Sequence, residues 1–180
     1  MTFKAWGKIP RFENEEYCFR EKIDGTNGCV LVLDQDHELL QGALFAEPIE
    51  QIGRDYIWAQ SRTRFVHPGD DNFGFAGWVR EHAAELVKLG QGYHYGEWWG
   101  RGIQRGYEQT DRHFSLFYYP TALPTDVVRH VPTIKAGSLA EARQVLIDGG
   151  SLAQPGFMQP EGVVMYASAA KVYYKSIISK

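Results

Sequence analysis

The sequence predicts an α+β fold with mainly antiparallel sheets and a few helices. Strand-like stretches come in neighbouring pairs, helical periodicity is confined to two segments, and 44% of the 180 residues are apolar. Paired strands around a small number of helices are typical of α+β proteins. A chain of this length can bury one core and is short for two, so we expect a single domain over residues 1–180 with no separate carboxy-terminal domain.

Two strands are expected to flank a glycine-rich turn near the amino terminus. Residues 15–20 have strand-like character, and 30–33 form a short apolar run of the kind found in buried strands. Between them, the Asp-Gly and Asn-Gly pairs at 24–25 and 27–28 are typical turn residues. We therefore predict a hairpin in which Lys22 stands at the end of the first strand.

Cys18 and Cys29 lie in these two predicted strands. Neither has a second ligand at a spacing typical of zinc sites, so we interpret both as small core side chains. Cross-strand proximity of the two thiols stays open.

The remaining chain is predicted to combine strands with two helices. Further strands are expected at 38–45, 92–98, 113–119, 162–166 and 172–178. Asn72 is expected to cap a first helix over 73–89, which Gly90 ends, because large apolar residues recur there at helical spacing. A capping-box pattern that begins at Ser138 predicts a second helix, which ends at 149–150.

Lys22 is a candidate nucleophile as well as a candidate exposed side chain. An ordinary lysine is mostly protonated at neutral pH, so it attacks poorly unless burial or nearby cations favour its neutral form. A tight turn directly after Lys22 would hold its amine against a bound ligand, whereas an ordinary hairpin would leave it in solvent. These residues alone leave the two interpretations equally open.

A series of motifs in a fixed order favours the nucleophile. The motifs are Lys-Ile-Asp-Gly at 22–25, Ser-Arg-Thr-Arg at 61–64, Tyr-Gly-Glu-Trp-Trp-Gly at 95–100, Gly-Ile-Gln-Arg at 102–105, Phe-Ser-Leu-Phe at 114–117, Glu-Gly-Val-Val-Met-Tyr at 161–166, and Lys175. In this order and spacing they resemble the boxes of the covalent nucleotidyltransferases, the superfamily of ATP-dependent ligases and RNA capping enzymes, and most nearly those of RNA ligases. The likeness spans nearly the whole chain. It departs at Tyr173, where the family usually has a lysine, and Lys171 is a candidate replacement because 171, 173 and 175 would share one strand face.

The resemblance implies the nucleotidyltransferase fold, with ATP in a cleft between two sheets. In that family the lysine of the first box becomes adenylated, so Lys22 is the expected nucleophile and Lys175 the expected contact of the α-phosphate. The resemblance assigns Glu161 to a divalent ion, Mg²⁺ or Mn²⁺, which prefers oxygen ligands. Without this context, Lys175 would be a solvated terminal lysine and Glu161 an ordinary carboxylate at the start of a strand.

Further residues are expected to contact ATP, and for Glu21, Glu97 and Phe117 the resemblance implies the contact. They are the backbone of Glu21 at the adenine edge, Asn27 near the phosphates or the acceptor end, Arg62 at a phosphate of ATP or of the RNA end, Glu97 at the ribose hydroxyls, and Phe117 stacked on adenine. Glu97 stands between a glycine and two tryptophans, and an acceptor in such apolar surroundings needs donors. Phe114 is the alternative to Phe117, and core packing is open for both.

The resemblance implies an ATP-dependent RNA ligase that forms lysyl-AMP, passes AMP to a 5′-phosphate and joins this end to a 3′-hydroxyl. The expected substrates are RNA ends, nicked or single-stranded. One alternative is a nucleotidyltransferase with another acceptor, such as a DNA ligase or a capping-type enzyme. Another is a module that binds nucleotides or RNA ends without turnover. An accessory protein or an oligomer is a candidate source of further RNA-binding surface, because only residues 176–180 follow Lys175.

The net charge of −3 argues against a protein that coats nucleic acid nonspecifically. Two clusters of arginines are nevertheless compatible with a local basic groove. The first consists of Arg54, Arg62 and Arg64, and the second of Arg101, Arg105 and Arg112. Ordinary surface charge is the alternative for at least half of them.

Nothing in the sequence predicts a membrane protein. No stretch approaches the ~18 consecutive apolar residues of a membrane-spanning helix. The first residues do not form a signal-peptide pattern. We therefore expect a cytoplasmic protein.

Overall fold

The computed structural model describes residues 15–41 and 46–178. Its strands, in chain order, are β1 Tyr17–Lys22, β2 Thr26–Asp34, β3 Glu50–Ile52, β4 Asp55–Gln60, β5 Phe65–Val66, β6 Gly92–Gly100, β7 Arg112–Leu116, β8 Val128–His130, β9 Thr133–Ile134, β10 Gly162–Ala167 and β11 Val172–Ile177. Its α-helices are α1 Phe75–Glu81, α2 Ala83–Leu86 and α3 Leu139–Gly149. Short 3₁₀ helices cover Glu38–Gln41, Val87–Leu89 and Gly106–Glu108. Among the residues described, no helix combines the length and the hydrophobicity needed to cross a membrane.

The described residues form two compact units. Unit 1 consists of 15–23 and 132–178, and unit 2 consists of 24–41 and 46–131. In unit 1, strands β11, β10, β1 and β9 form a four-stranded antiparallel sheet in that order. In unit 2, strands β3, β4, β2, β6, β7 and β8 form the larger sheet, β5 pairs with β4, and β7 with β8 is the one parallel pair among the described strands. The predicted α+β class with mainly antiparallel sheets is confirmed, whereas a single domain over 1–180 stays a prediction.

One face of the unit 1 sheet packs against α3. Phe19, Ile134 and Val163 project from three neighbouring strands and form a core with Ala142 and Leu146 of the helix. All five side chains are buried. Because successive side chains of a strand alternate between faces, the residues next to these in sequence point to the opposite face of the sheet.

The start of α3 confirms the predicted capping box. The hydroxyl oxygen of Ser138 accepts a hydrogen bond from the N–H of Glu141 at 3.2 Å. The carboxylate of Glu141 in turn accepts one from the N–H of Gly137 at 2.8 Å. In the usual box this second bond comes from the capping residue itself, so here it is shifted by one position. Gly150 ends the helix at a φ of 76°, which favours glycine.

Strand β2 is buried on both faces at the centre of unit 2. Val30 and Val32 belong to the main core, which includes Phe75 of α1. Leu31 and Leu33 belong to a second cluster on the opposite face. A strand covered on both sides is expected to have a continuous apolar run, and the sequence of β2 has one.

The predicted hairpin of β1 and β2 is wrong. β1 pairs with β10 and β9 in unit 1, whereas β2 pairs with β4 and β6 in unit 2. The Asp-Gly and Asn-Gly pairs therefore lead the chain from one sheet into another instead of reversing it. Turn residues predict a local change of direction, but strands distant in sequence decide the pairing. Cys18 and Cys29 are free thiols in different sheets, and burial raises the pKa of Cys29 to about 12.

The strand predicted over 38–45 is also wrong where the structure describes it. Residues Glu38–Gln41 form a 3₁₀ helix, and 42–45 lie outside the described residues. Leu40 packs against the cluster that contains Leu31 and Leu33. One helical turn is enough to bring this side chain to the cluster, so no partner strand is needed.

The helix predicted over 73–89 is interrupted. The backbone leaves helical geometry at His82, where φ is −105°, and this residue separates α1 from α2. The N-cap residue of α1 is Gly74 and not Asn72, and the carboxylate of Asp71 accepts hydrogen bonds from the second and third N–H groups of the helix at 2.8 and 2.9 Å. Gly90 ends the segment at a φ of 84°, as predicted.

Candidate functional site

Lys22 and Glu161 are in direct contact in unit 1 although they lie far apart in sequence. Lys22 is the last residue of β1 and Glu161 directly precedes β10, so the antiparallel pairing of these strands brings both to one end of the sheet. The Nζ of Lys22 donates a hydrogen bond to Oε2 of Glu161. The two side chains are 23% and 15% exposed, which leaves the pair accessible to a ligand. The predicted nucleophile and the predicted metal ligand are therefore neighbours.

Lys175 lies on the same face of the unit 1 sheet as Lys22. The register aligns Lys22 with Gly162 and Gly162 with Ile177, and Lys175 stands two residues before Ile177. Residues two apart on a strand share a face and lie ~7 Å from each other. Lys175 is exposed, and its ammonium group makes no hydrogen bond or ion pair within the described part of the chain. It is available for the phosphate contact that the sequence predicts.

The residues around Lys175 only partly match the expected strand face. Tyr173 shares the face of Lys175, and its ring lies 4.6 Å from that of Tyr166, measured between centroids. Lys171 lies in the turn before β11 with a φ of 55°, so strand alternation does not apply to it. A common strand face for 171, 173 and 175 is therefore wrong for the first of the three.

Glu21 has a role in unit 1 that the sequence did not indicate. Its side chain is 1% exposed, and its carboxylate accepts hydrogen bonds from the Ser151 hydroxyl at 2.6 Å and from the N–H groups of Leu152 and Ala153 at 2.8 Å. Burial raises the pKa of Glu21, and the three hydrogen bonds oppose this rise. The N–H of Glu21 donates to the carbonyl of Pro132 at 3.0 Å. That N–H is occupied, and adenine recognition by the Glu21 backbone stays a prediction.

The turn that begins at Asp24 is held by hydrogen bonds within unit 2. The N–H of Asp24 donates to the hydroxyl oxygen of Tyr107 at 2.9 Å, and the Nε of Arg105 donates to the Asp24 carboxylate at 2.9 Å. The N–H of Gly25 donates to Oε1 of Glu97 at 3.1 Å. The backbone at Asp24 and Gly25 and the carboxylate of Asp24 are therefore all held by hydrogen bonds.

Close packing on the same turn requires a glycine at position 25. A Cβ on Gly25 would lie 2.4 Å from the carbonyl oxygen of Trp98 and 2.8 Å from the Cβ of Trp99. Tyr107, which contacts the same turn, is buried and has a φ of 51°, which is uncommon for a residue other than glycine. Such a conformation persists only where the surroundings hold it, and here the tyrosine hydroxyl meets Asp24.

Glu97 connects this turn to the start of β2. Its Oε2 accepts a hydrogen bond from Nδ2 of Asn27 at 3.2 Å, and the two residues face each other across the pair of β2 and β6. A carboxylate can accept about four hydrogen bonds, so the predicted contact with ribose hydroxyls is compatible with this anchoring. The sequence predicted a ligand for Glu97 but not its protein partners.

Three of the predicted nucleotide contacts line one cavity in unit 2. The cavity has a volume of about 320 Å³ and is lined by Asn27, Gly28, Cys29, Gln60, Ser61, Arg62, Tyr95 and Phe117. Asn27 belongs to β2, Arg62 follows β4, and Phe117 follows β7. The volume lies at the lower end of the range typical of small-ligand pockets.

The three arginines of the first cluster have different partners. Arg54 forms ion pairs with Asp34 and Asp36, and Arg64 pairs with Asp70. Arg62 makes no hydrogen bond or ion pair within 15–41 and 46–178. Arg62 is therefore both the member of the cluster that lines the cavity and the member whose charge is uncompensated. This combination suits an anionic ligand.

The two candidate stacking residues are in different surroundings. Phe114 is 0% exposed and packs in the main core, with its ring centroid 5.0 Å from that of Phe75. Phe117 is 39% exposed and faces the cavity. Core packing therefore accounts for Phe114, and Phe117 is the one of these two candidates that is available to a base.

The second arginine cluster serves the structure in at least two of its members. Arg105 pairs with Asp24. Arg112 donates to the backbone carbonyls of Phe73 and Arg101 at 2.8 and 3.0 Å. The arginine cluster and the Gly-Ile-Gln-Arg motif at 102–105 marked Arg105 as a candidate. No local pattern indicated that it pairs with Asp24.

Unit 1 contains the carboxylate of Glu161, which the sequence analysis predicts to bind a divalent cation. The described residues contain no group of three or more His, Cys, Asp or Glu side chains arranged for a metal ion. Mg²⁺ commonly uses one or two carboxylates and completes its shell with water and substrate phosphates. The partly exposed carboxylate of Glu161 fits that mode of binding.

An α+β fold with antiparallel sheets, a lysine at the end of a strand and an anchored Asp-Gly turn are the features expected of the nucleotidyltransferase class. The family model described as RNA ligase matches residues 15–177. The chain therefore belongs to the RNA ligase family. A comparison with curated proteins finds no match.

Solved structures with this fold include variants of an RNA ligase from Naegleria gruberi. A lysine-to-alanine variant without ligand is 21% identical, with a TM-score of 0.56, over 92% of this chain and 50% of that one. A glutamate-to-alanine variant with ATP and manganese is 20% identical, with a TM-score of 0.56, over 98% of this chain and 57% of that one. A lysine-to-methionine variant with AMP and manganese is 20% identical, with a TM-score of 0.54, over 92% and 50%. This chain thus spans about half the length of the ligases it matches, and the likeness shows the fold.

Proposed function

We propose that this chain is an ATP-dependent RNA ligase that forms a covalent lysyl-AMP on Lys22. Membership of the RNA ligase family supports the reaction class. The similar Naegleria gruberi ligases were determined with ATP or AMP and manganese, which supports these cofactors here. The contact between Lys22 and Glu161 carries the proposal, because it joins the two side chains with the most specific expected roles.

In the first step, the Nζ of Lys22 attacks the α-phosphorus of ATP. An N–P bond forms, the bond from that phosphorus to the bridging oxygen breaks, and pyrophosphate leaves. Nζ must lose a proton to attack, and Oε2 of Glu161, to which it already donates, is the nearest acceptor. Lys175, on the same sheet face, is suited to neutralising the charge that moves onto the phosphate oxygens.

The cavity of unit 2 is suited to the nucleotide. Phe117 offers a ring to adenine, and the uncompensated charge of Arg62 suits a phosphate. Glu97 and Asn27 offer polar groups to the ribose and the phosphates. A divalent cation held at Glu161 would neutralise negative charge on the phosphates.

The next two steps transfer AMP and join the strands. An oxygen of the RNA 5′-phosphate attacks the phosphorus of lysyl-AMP, and the N–P bond breaks to release the lysine amine. The RNA 3′-hydroxyl then attacks the activated 5′-phosphorus, loses its proton, and AMP leaves. The substrates are RNA ends, either at nicks or in single strands. We include an accessory protein or an oligomer as a source of further RNA-binding surface.

The proposal is tested by labelling with ATP. Protein incubated with α-labelled ATP and magnesium should retain label after denaturation, because a phosphoramidate is covalent. Lys22→Ala should abolish the label. Lys88→Ala is the matched control, since Lys88 also pairs with a glutamate, Glu85, but on the surface of unit 2. Label that persists in Lys22→Ala, or that is lost equally in Lys88→Ala, would contradict the assignment of Lys22.

The acceptor is tested with nicked and single-stranded substrates. RNA with a 5′-phosphate and a 3′-hydroxyl should be joined in an ATP-dependent reaction that Lys22→Ala lacks. Label from GTP alone would favour a capping-type enzyme. Sealing of DNA but not of RNA would favour a DNA ligase. A protein that binds ATP without acquiring label would be a binding module.

A further inference from the structure

Two tyrosines are stacked on the surface of unit 2 beside the cavity. Tyr93 and Tyr95 stand two residues apart on β6 and share one face of the sheet. Their rings are nearly parallel, with centroids 5.8 Å apart and an angle of 6° between planes. They are 42% and 54% exposed. The proposed ligase reaction gives Tyr93 no role, so this exposed aromatic pair calls for one.

The stacked pair is continuous with the cavity. Tyr95 lines the cavity together with Phe117. The N–H of Phe117 donates to the carbonyl of Tyr95 at 2.9 Å, so the two residues are neighbours on adjacent chain segments. Three exposed aromatic side chains, Phe117, Tyr95 and Tyr93, therefore extend from the cavity along one face of the sheet.

Positive charge lies on the same sheet face, on β8, which β7 separates from β6. Arg129 aligns with Ser115 across β7 and β8, so the two share one sheet face. Phe117 comes two residues after Ser115, directly beyond the end of β7. Like that of Arg62 at the cavity, the guanidinium group of Arg129 makes no hydrogen bond or ion pair with any residue the structure describes. Glu97, the carboxylate on the same face of β6, is engaged by Gly25 and Asn27.

We propose that Tyr93, Tyr95 and Arg129 form a platform that holds a single-stranded segment of the RNA substrate next to its reacting end. Bases of any sequence stack on aromatic rings, and arginines bind the phosphates between them. The choice of RNA as the occupant rests on the proposed ligase function. The platform places the strand beside the cavity that Phe117 and Arg62 line.

Binding of a short fluorescent RNA, measured by anisotropy, tests the platform. Tyr93→Ala should weaken binding about tenfold, as expected for the loss of one base stack, and Tyr93→Phe should restore it because the ring remains. Tyr174→Ala is the control, since Tyr174 is similarly exposed, at 53%, but points to the opposite sheet face from Lys175 in unit 1. Arg129→Ala should reduce the slope of log affinity against log salt by about 0.7, whereas Arg54→Ala, whose charge is already paired, should not.

The same variants separate this proposal from the ligase function. Tyr93 does not line the cavity, so Tyr93→Ala should form lysyl-AMP at the wild-type rate. If the wild type forms no lysyl-AMP, the ligase proposal fails while the anisotropy still decides whether the platform binds RNA. Wild-type affinity in Tyr93→Ala, or an equal loss in Tyr174→Ala, would overturn the platform.

Discussion

The Nε of Arg105 donates a hydrogen bond to the carboxylate of Asp24 at 2.9 Å, and this ion pair fixes the acidic residue of the Lys-Ile-Asp-Gly box. Both side chains are partly buried, at 19% and 25% exposed. Removing one partner of a partly buried pair leaves the other charge less well solvated, which costs more than losing an exposed pair. The position of the Asp-Gly turn that follows Lys22 therefore depends on Arg105, which lies 81 residues after Asp24.

We expect Arg105→Ala to slow lysyl-AMP formation at least about tenfold, because an unpaired Asp24 reorients the turn. The rate is measured in single-turnover reactions with labelled ATP. Arg54→Ala, which removes an exposed ion pair, should leave the rate unchanged. A wild-type rate in Arg105→Ala would show that the turn keeps its position without this pair.

Gly25→Ala is expected to disrupt the turn itself. The new Cβ would approach the Trp98 carbonyl oxygen to 2.4 Å, a distance that requires the backbone to move. Lysyl-AMP formation should fall to background. Gly69→Ala is the matched control, since a Cβ there meets nothing within 4 Å. An active Gly25→Ala variant would argue against close packing of the turn on β6.

Substitution of the two phenylalanines should separate ligand binding from stability. Phe117→Ala should weaken ATP binding about tenfold, since one base stack is lost, with little change in the free energy of unfolding. Phe114→Ala should lower the free energy of unfolding by about 3–5 kcal/mol, because it empties part of the main core. Titration with ATP and urea denaturation measure the two effects. Equal losses of stability in both variants would contradict the exposed position of Phe117.

The buried carboxyl group of Glu21 should make stability depend on pH. Its pKa in the folded protein is raised by burial above the ordinary value of 4.5, so the folded state holds this proton to a higher pH than the unfolded state does. The contribution of Glu21 is therefore complete below pH 4.5 and declines as the pH rises through the folded pKa. The free energy of unfolding of the wild type minus that of Glu21→Gln should fall from pH 4.5 towards neutral pH in urea titrations. A rise would mean that the three hydrogen bonds outweigh burial.

Elements with a strong local pattern were predicted well. The capping box at Ser138, the apolar run of β2 and the placement of Lys22 at the end of β1 all follow from neighbouring residues. The predicted hairpin of β1 and β2 is wrong because strand pairing depends on residues far away in sequence. Turn residues at 24–25 predict a local reversal that would pair β1 with β2, but β1 pairs with β10 and β2 pairs with β6.

For the candidate site too, some residues could be predicted from the sequence and others could not. Motif order singled out Lys22, Glu97 and Glu161 as candidates through the resemblance to the nucleotidyltransferases, and their roles stay predictions. It did not choose between Phe114 and Phe117, which differ only in what surrounds them in the folded protein. Nor did it indicate the stack of Tyr93 on Tyr95.

The sequence by itself determined the α+β class and the order of the motifs, because these depend on residue type and local spacing, and the resemblance of those motifs to the nucleotidyltransferases singled out the lysine expected to carry AMP. Only the tertiary structure decided which charges are already paired and which aromatic rings are buried. Lys22 meets Glu161 across 139 residues, and Asp24 meets Arg105 across 81. Such contacts arise when strands from distant parts of the chain pair, so the availability of a side chain to a ligand is a property of the fold.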